Sequence, residues 1–297
     1  VKLSVITPSF NYARFLDAAM RSVRDGHAVV REHVISDGAS TDGTVELLSA
    51  NSSSVKWRSE PDKGQSDALN HALEMADGEY IAWLNADDFY IPGGLDAAIA
   101  YLDEHPEVDV VHGDTVLVDE HGVFIKPLFG YPTWFPILAS RGCVIASTAT
   151  VFRRSALPPA PWDVRLRYIM DWDLYLGIMR SGRKIVHLPI LIAGMRIHDA
   201  QVSAERRTGD ARDSSEHQIV RRKHQLGIYG KKPVRRLADV THKVAKLVST
   251  VWYRKRPYAA SAIRVLDANG NVESAAVVHL RSRLYAAHRE RTSYERG

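Results

Sequence analysis

The sequence predicts an α/β protein built on a doubly wound, mostly parallel sheet flanked by helices, with a basic helical extension at its C-terminal end. Three observations carry that expectation. Short runs of β-branched and aromatic residues alternate with helix-period segments from Leu3 to His112, the spacing of strands joined by helical crossovers. One of those runs, Glu79–Leu84, is almost wholly apolar, as a strand buried on both faces must be, and it stops at the adjacent carboxylates Asp87 and Asp88. Past Gln201 the texture changes to polar and basic stretches.

In chain order, Leu3–Thr7 is a β-branched strand ended by Pro8 and the turn-like Ser9-Phe10-Asn11. Phe15, Leu16, Ala19, Met20 and Val23 then fall at helical spacing over 13–24. His33–Ser36 is a second strand. It runs into Asp37–Thr44, a loop dense in Asp, Ser and Gly, where Thr41 or Asp42 is placed to cap the helix carrying Val45, Leu47 and Leu48. A third strand, Val55–Arg58, leads through Glu60–Asp67 to a helix over 68–75 and so to Glu79–Leu84. Pro92-Gly93-Gly94 forces a turn before a helix over 94–104 and a strand at 108–112. Residues 115–126 predict a hairpin turning at His121-Gly122, and the aromatic, proline-rich 129–137 predicts a loop. Ser147–Phe152 predicts a strand, 171–181 a helix, and Ile185–Ile192 a last apolar strand broken by Pro189. The units expected are a domain over 1–203, with halves about 1–114 and 115–203, and an extension over 204–297.

Composition narrows the class. Hydrophobic and charged fractions of 45% and 25% are ordinary for a soluble globular chain. The single cysteine, Cys143, excludes an internal disulfide framework and a multi-cysteine zinc site, and fits a reducing compartment. No apolar run reaches the length of a membrane span, and the first ten residues lack signal-peptide architecture. A cytoplasmic location is therefore expected. The net charge of +4 conceals a division: from Glu205 onward 21 Lys+Arg stand against 9 Asp+Glu, so an acidic body carries a basic tail. G-x-G-x-x-G after the first strand, a P-loop, G-x-S-x-G and H-E-x-x-H are all missing from the sequence. Phosphates would have to be held another way.

Asp87 and Asp88 repel each other, so something positive beside them is expected. A hard divalent cation shared with phosphate oxygens is one candidate, and Asp88 merely capping the following turn is the other.

Four motifs now stand in series: Thr7-Pro8-Ser9-Phe10-Asn11, Ser36-Asp37-Gly38-Ala39-Ser40-Thr41-Asp42-Gly43-Thr44, Glu60-Pro61-Asp62-Lys63-Gly64 and Asn85-Ala86-Asp87-Asp88. In that order and spacing, residues 1 to about 203 resemble the family 2 glycosyltransferases of the GT-A fold. The resemblance implies transfer of a sugar, with inversion, from a nucleotide diphosphate donor to an acceptor hydroxyl. It implies that Pro8, Ser9, Phe10, Asn11 and Asp37 meet the nucleotide base. Lys63, Asp67, Asn85 and Ala86 would border the same cleft, Asp87 would face the ribose or the metal, and Asp88 would hold a divalent metal, Mn2+ or Mg2+. The pattern often has Asp where this chain has Asn85, and Glu where it has Met170. The segment Tyr168–Leu176 resembles the one that carries the general base, which would be Asp171; a carboxylate opening a helix is also a favourable cap. Asp173 is read as structural. His198 is a candidate metal or diphosphate contact, with Gln201 and Ser203 beyond it, and Arg196 a candidate charge partner for the leaving diphosphate.

The expected partners are a UDP-sugar, with dTDP- and GDP-sugars as alternatives, and a glycan or lipid-linked acceptor. A nucleotidyltransferase and a non-catalytic nucleotide-sugar binder are the competing classes. In the tail, Val234, Leu237, Ala238, Val244, Ala245, Val248, Val251 and Trp252 alternate with Arg235, Arg236, Lys243 and Lys246, predicting an amphipathic helix that ends in Trp252-Tyr253-Arg254-Lys255-Arg256. An anionic membrane surface, the acidic body and a second subunit all suit such a helix. Nucleic acid is not expected, because the body is acidic.

Overall fold

The structure is a computed structural model that describes residues 2–201, 215–253, 265–267, 269–274, 276–277 and 280–281. The polar stretch 204–214, Ser203 and Arg254-Lys255-Arg256 lie outside the described residues.

One nine-stranded mixed sheet organises the chain. Strands β1 (Leu3–Ser9), β2 (Val30–Asp37), β3 (Lys56–Ser59) and β4 (Tyr80–Trp83) are joined by helices α1 (Ala13–Asp25), α2 (Thr44–Ala50) and α3 (Gln65–Met75). They lie in the order β3-β2-β1-β4, every neighbouring pair parallel. Because β1 has β2 on one side and β4 on the other, the winding direction reverses at β1. Crevices outside the carboxyl ends of strands at such a reversal are where open α/β sheets bind ligands. The alternation predicted for this half is what forms, with α1 burying Phe15, Leu16, Ala19, Met20 and Val23 as their spacing required.

The second half departs from prediction in four places. First, 108–112 and the first arm of the hairpin are one ten-residue strand, β6 (Val110–Asp119), following α4 (Gly94–Glu104) and the two-residue β5 (Phe89–Tyr90). The hairpin partner is β7 (Phe124–Leu128), and Gly122 turns with φ of +78°. Second, the aromatic loop ends early, because α5 (Phe135–Arg141) begins inside it with a proline in its first turn, where the missing N–H costs nothing. Third, Ser147–Ala149 is a 3-10 turn and the strand β8 is Thr150–Arg153. Fourth, Pro189 does not end the last strand. β9 runs Ile185–Ile197 beside β6, and its register slips between the pairs His112↔His187 and Asp114↔Leu191. That slip lets a residue with no N–H to donate sit outside the ladder. β8 is antiparallel to β4 and β6, β9 is parallel to β6, and β5 closes the far edge against β9, where a methyl group on Gly194 would overlap the Phe89 ring.

Helix α6 (Met170–Arg180) packs its apolar face onto the sheet, and Trp172 donates its indole N–H to the Leu138 carbonyl at 2.8 Å. Helices α7 (Ser215–Lys223) and α8 (Lys232–Tyr253) follow. Described residues between 265 and 281 fold back on the body. Val265, Leu266, Val277 and Leu280 share a core with Phe89, Ile91, Val116 and Val118, and Gly270 turns with φ of +80°.

Candidate active site

The carboxyl ends of β1, β2 and β4 bring three of the four sequence motifs together. Pro8 and Ser9 are buried in β1, whereas Phe10, just beyond it, is 57% exposed with its ring available to a ligand. Asn11 turns the chain with φ of +58°, a region asparagine tolerates. Its side-chain oxygen accepts the Thr41 N–H at 2.8 Å and its own N–H donates to the Ser40 hydroxyl at 2.7 Å. The β1 and β2 loops are thereby tied together. Asp37, buried at the end of β2, accepts the Ser40 N–H at 2.9 Å and the Ser59 hydroxyl at 2.6 Å. Asp42 accepts from Ala13 N–H at 2.9 Å and Thr44 N–H at 3.1 Å, so one carboxylate caps the starts of α1 and α2. The Ser9 hydroxyl is buried with no hydrogen-bond partner.

Asp67, in the first turn of α3, accepts the Lys63 N–H at 3.1 Å and ties the preceding loop to the helix, while the Lys63 side chain stands exposed. Gln65, which sequence reasoning did not single out, donates to Asn85 Oδ1 at 2.9 Å. Asn85 also accepts the Trp83 indole N–H at 2.9 Å and donates to Asp88 Oδ2 at 3.1 Å. Its amide nitrogen makes this last bond, which a carboxylate at position 85 would replace with repulsion. The turn closes with Asp88 N–H donating to the Asn85 carbonyl at 3.1 Å, and Ala86 is buried within it.

Asp88 is buried. Its Oδ2 also accepts the Thr148 hydroxyl at 2.7 Å, and its Oδ1 accepts the Arg196 backbone N–H at 3.0 Å. Burial first, and the Asp87 charge second, push its carboxyl up to about 7 against these stabilising bonds. Asp87 Oδ2 meets His198 Nε2 at 3.1 Å and the Gln201 side-chain amide at 3.4 Å. His198 is held by Phe15, ring centroids 4.6 Å apart, and by Tyr12 at 5.9 Å. Oδ1 of each aspartate keeps acceptor capacity, since a carboxylate offers about four acceptor positions.

Arg196 is not aimed into open space. Its Nε donates to the Asp87 carbonyl at 2.9 Å and Nη1 to the Glu120 carbonyl at 3.2 Å, and the guanidinium lies over Phe15 and Phe89 at 4.8 and 5.8 Å. Burial pulls its pKa down. The side chain braces the Asp87-Asp88 turn from beneath.

Asp171 lies in the first turn of α6, half-buried, and accepts its neighbour's Trp172 N–H at 2.7 Å. The Cys143 thiol stands beside it, pushed well up by burial and then by the Asp171 charge. One turn along α6, the Tyr175 hydroxyl donates to Thr150 at 3.0 Å, two residues from the Thr148 that holds Asp88. The 3-10 turn before β8 thus connects α6 to the acid pair. Asp173, buried, pairs with Lys223 at 2.6 Å and His224 at 2.7 Å and ties α6 to α7, the structural role expected of it.

Among the described residues no group of three or more His, Cys, Asp or Glu side chains converges as a cage for a metal ion. The two aspartates and His198 form a partial set. Such a set does not fit a metal held by protein alone, but fits Mg2+ or Mn2+ taking its other oxygens from phosphate and water.

Residues 4–157, just over half of the chain, match the family model described as Glycosyl transferase family 2. The chain belongs to glycosyl transferase family 2. An uncharacterised glycosyltransferase of Rickettsia typhi is 28% identical over 214 residues, covering 68% of this chain. The chain spans 65% of that relative's length, just under two thirds. Among solved structures, S. aureus TarS (1-349) in complex with UDP-GlcNAc is similar with a TM-score of 0.52 at 21% identity, over 68% of this chain and 60% of that one. The mannosyltransferase PcManGT from Pyrobaculum calidifontis, in complex with GDP-Man and Mn2+, is similar with a TM-score of 0.53 at 18% identity, over 84% and 82%. At these identities the likeness concerns the fold, which is the GT-A fold expected of this family 2 member.

Proposed function

We infer that this family 2 member is an inverting glycosyltransferase that moves a sugar from a nucleoside diphosphate donor to an acceptor hydroxyl. The observation that carries this is the meeting of Phe10-Asn11, Asp37 and Asp87-Asp88 at the carboxyl ends of three parallel strands, with Asp171 across the 3-10 turn that grips Asp88. Residues 1–114 bind the donor. Phe10 offers a stacking face to the base, with Pro8, Ser9 and Asn11 shaping the turn around it, and Asp37, oriented by Ser40 and Ser59, accepts from a ring N–H. Asp87 receives the ribose or the metal, with Lys63, Asp67, Asn85 and Ala86 bordering the cleft.

A divalent cation fits at Asp88 and Asp87, with His198 adjoining, and supplies charge neutralisation to the departing diphosphate. Residues 115–203 receive the acceptor. Asp171 takes the proton of the acceptor hydroxyl while that oxygen bonds to the anomeric carbon from the face opposite the leaving group. The anomeric C–O bond breaks and the nucleoside diphosphate departs. Arg196, buried beneath the pair, contributes positive charge to the diphosphate through space and without direct contact. A UDP-sugar is the favoured donor, as in the TarS complex, with GDP- and dTDP-sugars as alternatives. The acceptor is a glycan or lipid-linked glycan of cell-surface polysaccharide synthesis. The protein then works in the cytoplasm, on the inner face of the membrane; no helix among the described residues is long and apolar enough to cross one.

Titration with UDP, GDP and dTDP, each with and without manganese, tests the donor site. One nucleotide should bind more tightly with metal and lose that gain in Asp88→Ala. Binding of none would sink the transferase, and donor binding without transfer across a broad sugar panel would favour a binding protein.

A further inference from the structure

Helix α8 has three faces of different chemistry. Its inner face packs on α5 and the loop before it: Asp239 pairs with Arg141, His242 Nδ1 meets the Tyr131 hydroxyl at 2.8 Å, and Ala238 is buried. A second face carries Leu237, Val240, Val244 and Leu247, each between 53% and 66% exposed. At about 100° per residue these four project within one quadrant of the helix. Beside them run Lys232, Arg236 and Lys243, all exposed, with Arg235 and Lys246 further round. The helix has five Lys and Arg and a single acid, Asp239, already paired with Arg141.

An apolar stripe of this length is costly to leave in water. Two covers are available, a second copy of the helix or a lipid surface, and charge decides between them. In an antiparallel self-pair, Arg236 and Lys243 would face the same cations of the partner. In a parallel pair they would meet no acid, because the helix's one acid, Asp239, is already paired with Arg141. Anionic headgroups match the cationic border that runs along one edge of the stripe, with the apolar quadrant entering the acyl boundary.

We propose that α8 is an interfacial helix that lays Leu237, Val240, Val244 and Leu247 into an anionic lipid surface, with Lys232, Arg236 and Lys243 at headgroup level. The consequence for acceptors rests on the proposed transferase. The helix packed under α8 leads directly to Cys143, the neighbour of Asp171, so docking sets the candidate base close to a membrane where lipid-linked hydroxyls are presented. Lipid binding itself requires neither nucleotide nor metal, so its failure would leave the donor site untouched, and failure of the donor site would leave it untouched.

The test is co-sedimentation of the full chain with phosphatidylcholine vesicles and with vesicles containing phosphatidylglycerol. Binding to the anionic vesicles alone is expected, weakening as salt rises. The double variant Leu237→Ser with Val244→Ser, and separately Arg236→Glu with Lys243→Glu, should each lower partitioning about tenfold or more. The substituted side chains are exposed, so unchanged melting will show that the fold is intact. Absence of binding, or equal binding by the variants, overturns the proposal. So does a wild-type dimer in lipid-free solution that the apolar variant dissociates, because the stripe would then be a subunit interface.

Discussion

The Thr148 hydroxyl donates a 2.7 Å hydrogen bond to Oδ2 of Asp88, sixty positions earlier in the chain. The bond joins the turn after β4 to the 3-10 turn before β8. It is also one of the few interactions that favour the charged form of a carboxylate which burial and Asp87 push the other way. Thr148→Val removes the donor and keeps the shape. Manganese-dependent nucleotide binding should weaken about tenfold, the worth of one hydrogen bond to a charged group, while metal-free binding stays the same. Thr148→Ser should restore it. Calorimetry on the three proteins checks this, and equal losses with and without metal would remove Asp88 from the metal site.

Asp171→Asn keeps the size and the acceptor oxygen of the side chain that meets Trp172 N–H, and removes the base. Sugar transfer should fall by about 100-fold or more, the usual worth of a general base, with donor affinity unchanged. Rate and donor Kd measured together decide it, for a parallel loss of both would mean that Asp171 shapes the donor cleft instead.

Asp173 should behave in the opposite way. It is buried between Lys223 and His224, and its truncation leaves two cationic or polar groups facing each other at the α6–α7 contact. Asp173→Ala is expected to cost about 1–3 kcal/mol of stability, mainly from the buried His224 left without its partner, read as a drop in Tm or urea midpoint. Nucleotide affinity of the folded fraction should hold. Loss of affinity with no loss of stability would contradict the structural role.

His33 gives the protein an acid-labile element. Burial pushes its imidazole down from 6.5 to about 3, and its Nε2 lies 2.8 Å from the Thr7 hydroxyl. A histidine held neutral in the fold binds a proton only after unfolding, so its share of stability is intact above pH 6.5 and drains as pH falls toward 3. The slope contributed is about 1.4 kcal/mol per pH unit. His33→Gln should flatten the decline of urea midpoints between pH 6.5 and 5, within that window, and an unchanged slope would show that this site is not responsible.

The parallel half of the fold and its helices were legible because they are local. Apolar runs, the Asp42 cap and the period of α1 each state their structure within a dozen residues. The errors in the second half have a common source. Pro189 and Pro136 are read locally as breakers, yet one sits in a register slip against β6 and the other in a helical first turn, and only neighbouring strands and packing make those places available. The candidate site divides the same way. Phe10, Asp37, Asp87, Asp88 and Asp171 announce themselves by position after strands or at a helix start. Thr148 and Gln65 do not, since a hydroxyl and an amide gain their meaning from the carboxylate and the amide they touch, far away in sequence.

By itself the sequence determined where the four parallel strands lie, that two acids stand side by side past the end of one of them, and that the tail helix is basic and amphipathic. These follow from periodicity and residue chemistry, which travel with the chain. The tertiary structure decided what surrounds the acids. It turned Arg196 inward between two rings, set Thr148 on Asp88, and chose which face of α8 remains exposed. Those outcomes depend on burial and on pairings between distant segments, and no local pattern encodes them.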